Sequence, residues 1–397
     1  MFSEVVIFGQ GYVGLPLAIA IAKSNFKVLG IDADARRIEQ IENGISPVED
    51  LDKNQMSNAL ESGFFTVSVE DYFPISTNVI CICVPTPLTK LGKPDLSALE
   101  SATISVGKNL RPGMLVIVES TIQPGTTRNF VLPILEKYSG LNSGDFFLAF
   151  SPERIDPLNK IWGLKNTPKL VAGLTSEAAN LANLFYSNFI DDVRVYPSLE
   201  IVEAAKLLEN TFRLVNISLI NELAIFCQQS GIPINEVVSA ASTKPYGFMA
   251  FNPGLGAGGH CIPVDPIYLA EAAKSVGAPT EIIEYAKKRN ESMPDYFVER
   301  ALKILGTLEG KNLLVVGIAY KQNVSDVRES PALKMIEKLR NKGAKVMWHD
   351  DLVKTFEGQK SVSINSEFDL AILATVHDYI DISLLGATKI LDTSFNS

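Results

Sequence analysis

Residues 4–32 read EVVIFGQGYVGLPLAIAIAKSNFKVLGID. EVVIF has the apolar, β-branched character of a buried strand, LPLAIAIAKS that of a helix, and KVLGI that of a second strand. Gly9, Gly11 and Gly14 stand at the first junction as G-x-G-x-x-G. Glycines there permit a tight turn and let a pyrophosphate approach the N-terminus of the following helix, where backbone N–H groups and the dipole favour an anion. The motif alone is weak, and an ordinary strand-to-helix turn is the plainer reading of three glycines. Its setting strengthens it, because the second strand ends in Asp32, where a carboxylate accepts the adenosine ribose hydroxyls of a dinucleotide. A carboxylate there repels a 2′-phosphate, so NAD is expected rather than NADP. Arg36 and Arg37 are the counterweight, since a nearby guanidinium neutralises such a phosphate. Their plainer role is to face the pyrophosphate or solvent, and Arg37 is counted with the cofactor residues.

The same rhythm continues outward through NVICICV, LSALESATISVGKNL, MLVIVES and FFLAFSPE, the alternation of parallel strands and crossover helices, and breaks after Ser151. A helix is predicted from Leu199 to Ser230, closed by Gly231 and Pro233. Ile201, Ala204, Ala205, Leu208, Phe212, Val215, Leu219, Leu223 and Phe226 recur on it at helical spacing, and Leu207, Leu214, Ile217 and Ile220 widen the apolar face. Such a helix is expected to be largely buried, between domains or between subunits. Strand-helix-strand rhythm returns near Lys311 with NLLVVGIAY, SPALKMIEKLRNKG, AKVMWHD, FDLAILAT and TKILDT, Gly343 acting as a helix cap. The fold class is α/β, with two Rossmann-like doubly wound domains joined by a long central helix and a helical middle domain. The boundaries are residues 1–195, 196–300 and 301–397. Gly317 is the only glycine in the second strand-turn-helix, so that domain carries no second dinucleotide fingerprint.

The 397 residues are 46% hydrophobic and 20% charged, the composition of a folded globular protein with room for two or three domains. A net charge of −9 argues against a phosphate-backbone binder, so no nucleic-acid partner is expected. The four cysteines are too sparse for a disulfide framework, and no Cys or His set has zinc spacing, so no metal is expected. The opening lacks a basic segment ahead of an apolar stretch, and no apolar run approaches transmembrane length. A cytoplasmic protein with no membrane partner is expected.

AGGHCIPVDP, residues 257–266, places one thiol after two glycines, beside His260 and four residues before Asp265. Small residues there would let a substrate approach the sulfur. A lone cysteine is usually a small core hydrophobe, and Cys81, Cys83 and Cys227 fit that description. Cys261 differs, because its surroundings are glycine and proline punctuation rather than a periodic apolar run. Nucleophilic use would require a thiolate, favoured by nearby cations or a helix N-terminus. Lys206 and Asn210, four apart on the long helix, share a face. Surface lysines are ordinarily solvated, but on a buried helix this ammonium would point inward.

SPERIDP (151–157), EAAKLLENTFR (203–213), GGHCIPVDP (258–266) and YKQNVSDVRESPAL (320–333), in this order behind the amino-terminal glycines, resemble the UDP-glucose/GDP-mannose dehydrogenase family over essentially the whole chain. The resemblance implies two hydride transfers to two NAD molecules, taking an alcohol through aldehyde and cysteine thioester to an acid. It implies Cys261 as nucleophile, Lys206 and Asn210 as stabilisers of the developing oxyanion, Glu153 as general base with Thr121 holding the water, and Asp265 assisting proton transfer or orienting Lys206. The ordinary alternatives are a helix-start acid for Glu153, a cap for Thr121 and a turn residue for Asp265. It further implies Tyr12, Val13, Thr86 and Thr121 at the cofactor. Glu153, Arg154, Lys206, Asn210, Arg213, Gly258, Lys321 and Arg328 are implied at a UDP-sugar, with a surface salt bridge as the ordinary alternative for Arg328.

TKPYGF, residues 243–248, is most similar to the bacterial branch that oxidises UDP-N-acetylglucosamine at C6, and differs from the loop and G-x-C of UDP-glucose members. UDP-N-acetylgalactosamine, UDP-N-acetylmannosamine and UDP-glucose are the alternatives. Two readings compete. A hydroxyacid dehydrogenase of related layout would release one NADH per substrate, and a non-catalytic binder would have no use for the thiol. The long apolar helix, with the resemblance, implies a homodimer serving surface polysaccharide synthesis.

Overall fold

The computed structural model describes residues 2–48, 51, 53–156, 159 and 161–395. Pro157, the last residue of SPERIDP, lies outside them. Two compact units divide the chain, Met1–Leu208 and Glu209–Ser397.

The first unit runs β1 (Glu4–Phe8), α1 (Gly14–Lys23), β2 (Lys27–Ile31), α2 (Ala35–Glu42), α3 (Lys53–Glu61), β3 (Phe65–Ser68), β4 (Thr77–Ile82), α4 (Ser97–Asn109), β5 (Leu115–Val118), α5 (Leu132–Ser139), β6 (Phe147–Phe150), β7 (Lys169–Gly173), α6 (Ser176–Tyr186) and β8 (Val193–Val195). Its sheet has the order β3-β2-β1-β4-β5-β6-β7-β8, parallel except where β6 meets β7. The first six strands form the doubly wound arrangement whose order reverses beside β1. Successive side chains of a strand point to opposite faces. Val5, Ile7, Val79, Cys81, Leu115 and Ile117 therefore share one core with the α1 residues Leu15, Leu17 and Ile21, while Val6, Phe8, Ile80, Ile82, Val116 and Val118 share another with Leu99 and Val106 of α4. Covered on both faces, these strands read as continuous apolar runs. The sheet does not stop where the rhythm breaks at Ser151, because β7 and β8 extend it.

Helix α7 spans Leu199–Ser230, as the spacing predicts, and ends at Gly231 with φ +69°. Its burial differs from expectation. Val202, Leu207, Leu214, Ala224 and Cys227 are buried, but Leu208 is 61%, Phe212 45%, Leu219 64% and Phe226 56% exposed. The helix carries more apolar width than a single chain covers.

The second unit adds α8 (Ile234–Ser242), α9 (Asp265–Ser275), α10 (Glu281–Leu305), β9 (Asn312–Val316), α11 (Pro331–Asn341), β10 (Lys345–His349), β11 (Thr355–Phe356), β12 (Gln359–Lys360), β13 (Leu370–Leu373) and β14 (Ile390–Asp392). Its four-stranded parallel sheet has the order β10-β9-β13-β14. Ala224 and Cys227 of α7, Met293 and Phe297 of α10, and Met335 and Leu339 of α11 pack with Leu313, Val315, Val346 and Ile372 of that sheet.

The two units build the same first turn. In one, Gly9 donates its N–H to the Ile31 carbonyl at 2.8 Å and Gln10 to the Asp32 carboxylate at 2.7 Å. In the other, Gly317 donates to the His349 carbonyl at 2.8 Å and Ile318 to the Asp350 carboxylate at 2.9 Å. Gly9 and Gly317 have φ +89° and +81°, and a Cβ would lie 2.6 Å from the Cys83 carbonyl oxygen in the first and 1.7 Å from that of Thr375 in the second. Asp350 carries further partners. Leu352 and Val353 donate backbone N–H groups to it at 2.9 and 3.0 Å, and His377 Nε2 lies 3.2 Å away. His377 Nδ1 accepts the Asn323 N–H at 2.8 Å, which leaves the ring proton on Nε2, facing Asp350.

Burial pushes the Asp350 carboxyl up, but the His377 hydrogen bond and the backbone N–H groups outweigh it and hold the group down to about 2, from an ordinary 3.8. A depressed carboxyl stabilises the fold fully above its unfolded value and loses that contribution as pH falls through its folded one. The size here is about 2 kcal/mol. Asp350→Asn is expected to lower Tm at pH 7, with the gap to wild type narrowing between pH 3.8 and about 2. Thermal melts across that range check this, and a constant gap refutes it.

Candidate functional site

In the first turn, a Cβ on Gly14 would sit 1.9 Å from the Gly9 carbonyl oxygen, so α1 packs against the turn only as glycine allows. A Cβ on Gly11 would meet nothing within 4 Å, the open position at which a ligand can come close to the backbone. Tyr12 and Val13 complete the turn, and no side chain caps α1 at Val13. Asp32 is 7% exposed and accepts N–H groups from Gln10 at 2.7 Å and Asp34 at 2.9 Å. Arg37 Nη1 lies 2.8 Å from its Oδ2, so this guanidinium, 37% exposed, pairs with that carboxylate. Arg36 pairs instead with Asp34, exposed. A dinucleotide fits this turn, and the site is built for NAD. Thr86 Oγ1 donates to the Thr121 carbonyl at 2.8 Å, joining two further cofactor candidates.

The SPER segment follows β6. Glu153 is 15% exposed. It is not a helix-start acid, because its Oε1 accepts the N–H groups of Arg154 and Ile155, each at 2.6 Å, within a loop. Arg154 Nη1 donates to the Pro168 carbonyl at 2.7 Å. Nearby lies a cluster that nothing in the sequence pattern singles out. The Nζ of Lys169 is 2.6 Å from Glu119 Oε2 and 3.7 Å from Glu153 Oε2, and the Tyr186 hydroxyl donates to Glu119 Oε1 at 2.5 Å. Burial opposes the Lys169 charge, but the Glu119 and Glu153 carboxylates prevail and hold its ammonium above the ordinary lysine range. Cys81 and Cys83 are buried, and that burial pushes their thiols well above the usual value, so they are inert core residues as read.

On α7, Lys206 is 8% and Asn210 5% exposed, in keeping with an inward face. Glu203, three residues before Lys206, also faces inward and was not singled out. Its carboxylate accepts N–H groups from Gly125 at 2.5 Å and Thr127 at 3.0 Å and the Thr127 hydroxyl at 2.6 Å, pinning the segment that follows Thr121. Asn210 Nδ2 donates to Asp265 Oδ2 at 2.6 Å. Asp265 opens α9 and donates its own N–H to the Cys261 carbonyl at 2.9 Å. Asn210, Asp265 and Cys261 are therefore brought together at the head of α9, and among the four cysteines Cys261 alone is exposed.

The two glycines before Cys261 are closely packed. A Cβ on Gly258 would lie 2.8 Å from the Glu329 carbonyl oxygen, and one on Gly259 would lie 2.8 Å from the Tyr320 ring. Gly259 also donates its N–H to the Arg328 carbonyl at 3.0 Å. Arg328 turns its guanidinium onto Asp326, at 3.0 Å from Nε and 2.6 Å from Nη2. Lys321 is half-buried beside Tyr320, and Arg213 is exposed on α7. Among the described residues no cluster of His, Cys, Asp and Glu could hold a metal ion, and no helix is long and apolar enough to cross a membrane.

The chain matches the UDP-glucose/GDP-mannose dehydrogenase family in three consecutive segments: its NAD binding domain over residues 3–190, its central domain over 200–292 and its UDP binding domain over 314–393. It is 36% identical to the UDP-N-acetyl-D-glucosamine 6-dehydrogenase of Pseudomonas aeruginosa, across 98% of this chain and 93% of that one. The solved UDP-N-acetyl-mannosamine dehydrogenase of Pyrococcus horikoshii superposes with a TM-score of 0.89 at 32% identity, covering 98% of this chain and 95% of that one. Cap5O, the UDP-N-acetyl-mannosamine dehydrogenase of Staphylococcus aureus, does so with a TM-score of 0.86 at 30% identity, covering 98% and 94%. The chain belongs to the UDP-glucose/GDP-mannose dehydrogenase family and is an NAD-dependent UDP-sugar dehydrogenase.

Proposed function

We propose that the protein oxidises the 6-hydroxyl of UDP-N-acetylglucosamine to the carboxylate through a thioester on Cys261, giving UDP-N-acetylglucosaminuronate for surface polysaccharide. The observation that carries this reading is the exposed Cys261 at the head of α9, beside an Asp265 bonded to Asn210. The sugar assignment is supported by the TKPYGF loop and by the 36% identity to a UDP-N-acetyl-D-glucosamine 6-dehydrogenase. UDP-N-acetylmannosamine, supported by the two similar solved structures, is the first alternative. UDP-N-acetylgalactosamine and UDP-glucose follow it.

When bound, NAD supplies the hydride acceptor for each of the two oxidations. Gly9, Gly11, Tyr12, Val13, Gly14, Asp32, Arg37, Thr86 and Thr121 hold it. Lys206 and Asn210 stabilise negative charge on the C6 oxygen, with Asp265 fixing the Asn210 amide and assisting proton transfer. The Cys261 sulfur adds to the aldehyde carbon while the carbonyl oxygen takes up a proton, because an aldehyde has a hydride to donate only after such an addition. In the last step a water held by Thr121 bonds to the thioester carbon, its proton passes to Glu153, the carbon–sulfur bond breaks and Cys261 leaves as thiolate. Arg154, Arg213, Gly258, Lys321 and Arg328 serve the UDP-sugar. This division of labour follows segments 1–195 for NAD, 196–300 for catalysis and dimerisation and 301–397 for UDP. The reading assigns the enzyme to the cytoplasm, where NAD and nucleotide sugars are pooled. A homodimer is supported by the exposed stripe Leu208, Phe212, Leu219 and Phe226 on α7.

Incubated with NAD and separately with each of the four UDP-sugars, the protein is expected to form two NADH per sugar on an acetamido substrate. Counting NADH spectrophotometrically checks this; one per sugar points to a two-electron dehydrogenase, and none to a binder. Cys261→Ala is expected to abolish acid formation, and Glu153→Gln to slow thioester hydrolysis by about 10²–10⁴-fold with the acyl-enzyme visible by intact mass. In light scattering the wild type is expected as a dimer and Leu219→Asp as a monomer. A monomeric wild type at micromolar concentration ends the dimer assignment.

A further inference from the structure

We infer that Lys169 is a positioning residue for Glu153, held in place by Glu119 and Tyr186 so that the base faces a fixed cation. This inference rests on the proposed reading of Glu153 as the base of thioester hydrolysis. Lys169 is 4% exposed at the first position of β7, and its head cannot swing away, because the carboxylate that grips it at 2.6 Å is itself held at its other oxygen by the Tyr186 hydroxyl. The Tyr186 ring lies 5.1 Å below the same ammonium. The SPER segment is laced onto this corner of the sheet by its own side chains. Ser151 Oγ donates to the Leu170 carbonyl at 2.8 Å, and Arg154 Nη1 to that of Pro168 at 2.7 Å. Three consecutive residues thus meet the SPER side chains, Pro168 and Leu170 through their carbonyls to Arg154 and Ser151, and Lys169 through its ammonium to Glu153.

Glu153 is divided between two tasks. Its Oε1 is occupied by the N–H groups of Arg154 and Ile155. Its Oε2 stands 3.7 Å from Lys169, close enough for strong attraction and too far for a formed hydrogen bond, so its lone pairs stay open to a proton. The charged and titratable groups beside it are Lys169 from β7, Glu119 from the end of β5, Arg154 from its own loop and the Cys83 thiol after β4, with Tyr186 of α6 behind Glu119. Without the ammonium, the two carboxylates Glu119 and Glu153 would repel, and one would take up a proton. The ammonium offsets that repulsion and leaves Glu153 Oε2 in place to accept the proton of the attacking water as the Cys261 thiolate departs.

Charge removal, rather than loss of packing, is what the test must isolate. Deacylation is followed in a single turnover with NAD and whichever of UDP-N-acetylglucosamine and UDP-N-acetylmannosamine is oxidised, across pH 5 to 9. Lys169→Gln is expected to form NADH, accumulate thioester, slow hydrolysis about tenfold or more at pH 7 and move the acid limb upward by about one unit. Glu119→Gln/Lys169→Gln, which also removes the repelling carboxylate, moves it upward by less, and Lys169→Arg leaves it in place. That ordering is not produced by a packing defect. Glu119→Leu/Lys169→Met, with apolar isosteres, reads the same limb if the amide pair does not fold. A folded charge-free variant with wild-type hydrolysis and a wild-type limb overturns the inference. Normal hydrolysis in Glu153→Gln would instead remove the base assignment itself, so the two failures are told apart.

Discussion

A carboxylate at the end of the second strand, accepting the backbone N–H that follows the first strand's glycine, shapes both α/β units. Asp32 does this for Gln10 and Asp350 for Ile318. The turn it closes needs a left-handed glycine, because a neighbouring strand's carbonyl occupies the space of a Cβ. Once the turn is set, α1 can start at Gly14 against the Gly9 carbonyl, and in the second unit the segment leading to Tyr320 and Lys321 takes its path. The candidate cofactor turn and the path of Tyr320 and Lys321 both follow from these two turns.

The cysteine loop depends on that path in turn. Gly258 and Gly259 press against Tyr320 and Glu329, and the loop is fastened to the Arg328 carbonyl. Cys261 then meets α9 at a point where Asp265 caps its carbonyl and holds the Asn210 amide. Backbone contacts of this kind fix the loop that carries the proposed nucleophile. In the first unit, side-chain bonds tie the SPER segment to β7.

Much of the fold was legible because its determinants are local. Central strands covered on both faces read as unbroken apolar runs, and α7 ends where Gly231 and Pro233 must end it. β7 was missed because its first residue is a buried charge, unlike the exposed Lys27 that opens β2, and the partner that makes Lys169 tolerable there, Glu119, lies 50 residues away. The two stripes of α7 could not be told apart by spacing. Leu207 and Leu208 are equally apolar, and only tertiary packing decides that the first is buried and the second exposed. The motif residues were named by resemblance. Which of them touch was a matter of geometry, as in the Arg37 to Asp32 pair and the capture of Arg328 by Asp326.

The difference between the two turns has a bearing on timing. Asp32 accepts two backbone N–H groups and the partly exposed Arg37 side chain, close in sequence to the open position at Gly11, whereas the oxygens of Asp350 are surrounded by backbone donors and an imidazole, leaving no acceptor for a ribose. Among the described residues only the first turn has the glycine pattern of a dinucleotide site, although the proposed reaction consumes two dinucleotides in succession. The reduced cofactor must depart and a fresh one arrive while the half-oxidised sugar waits. Under the proposed reading the bond to Cys261 is what keeps the aldehyde from diffusing off in that interval, so the lifetime of that bond must outlast one exchange of cofactor.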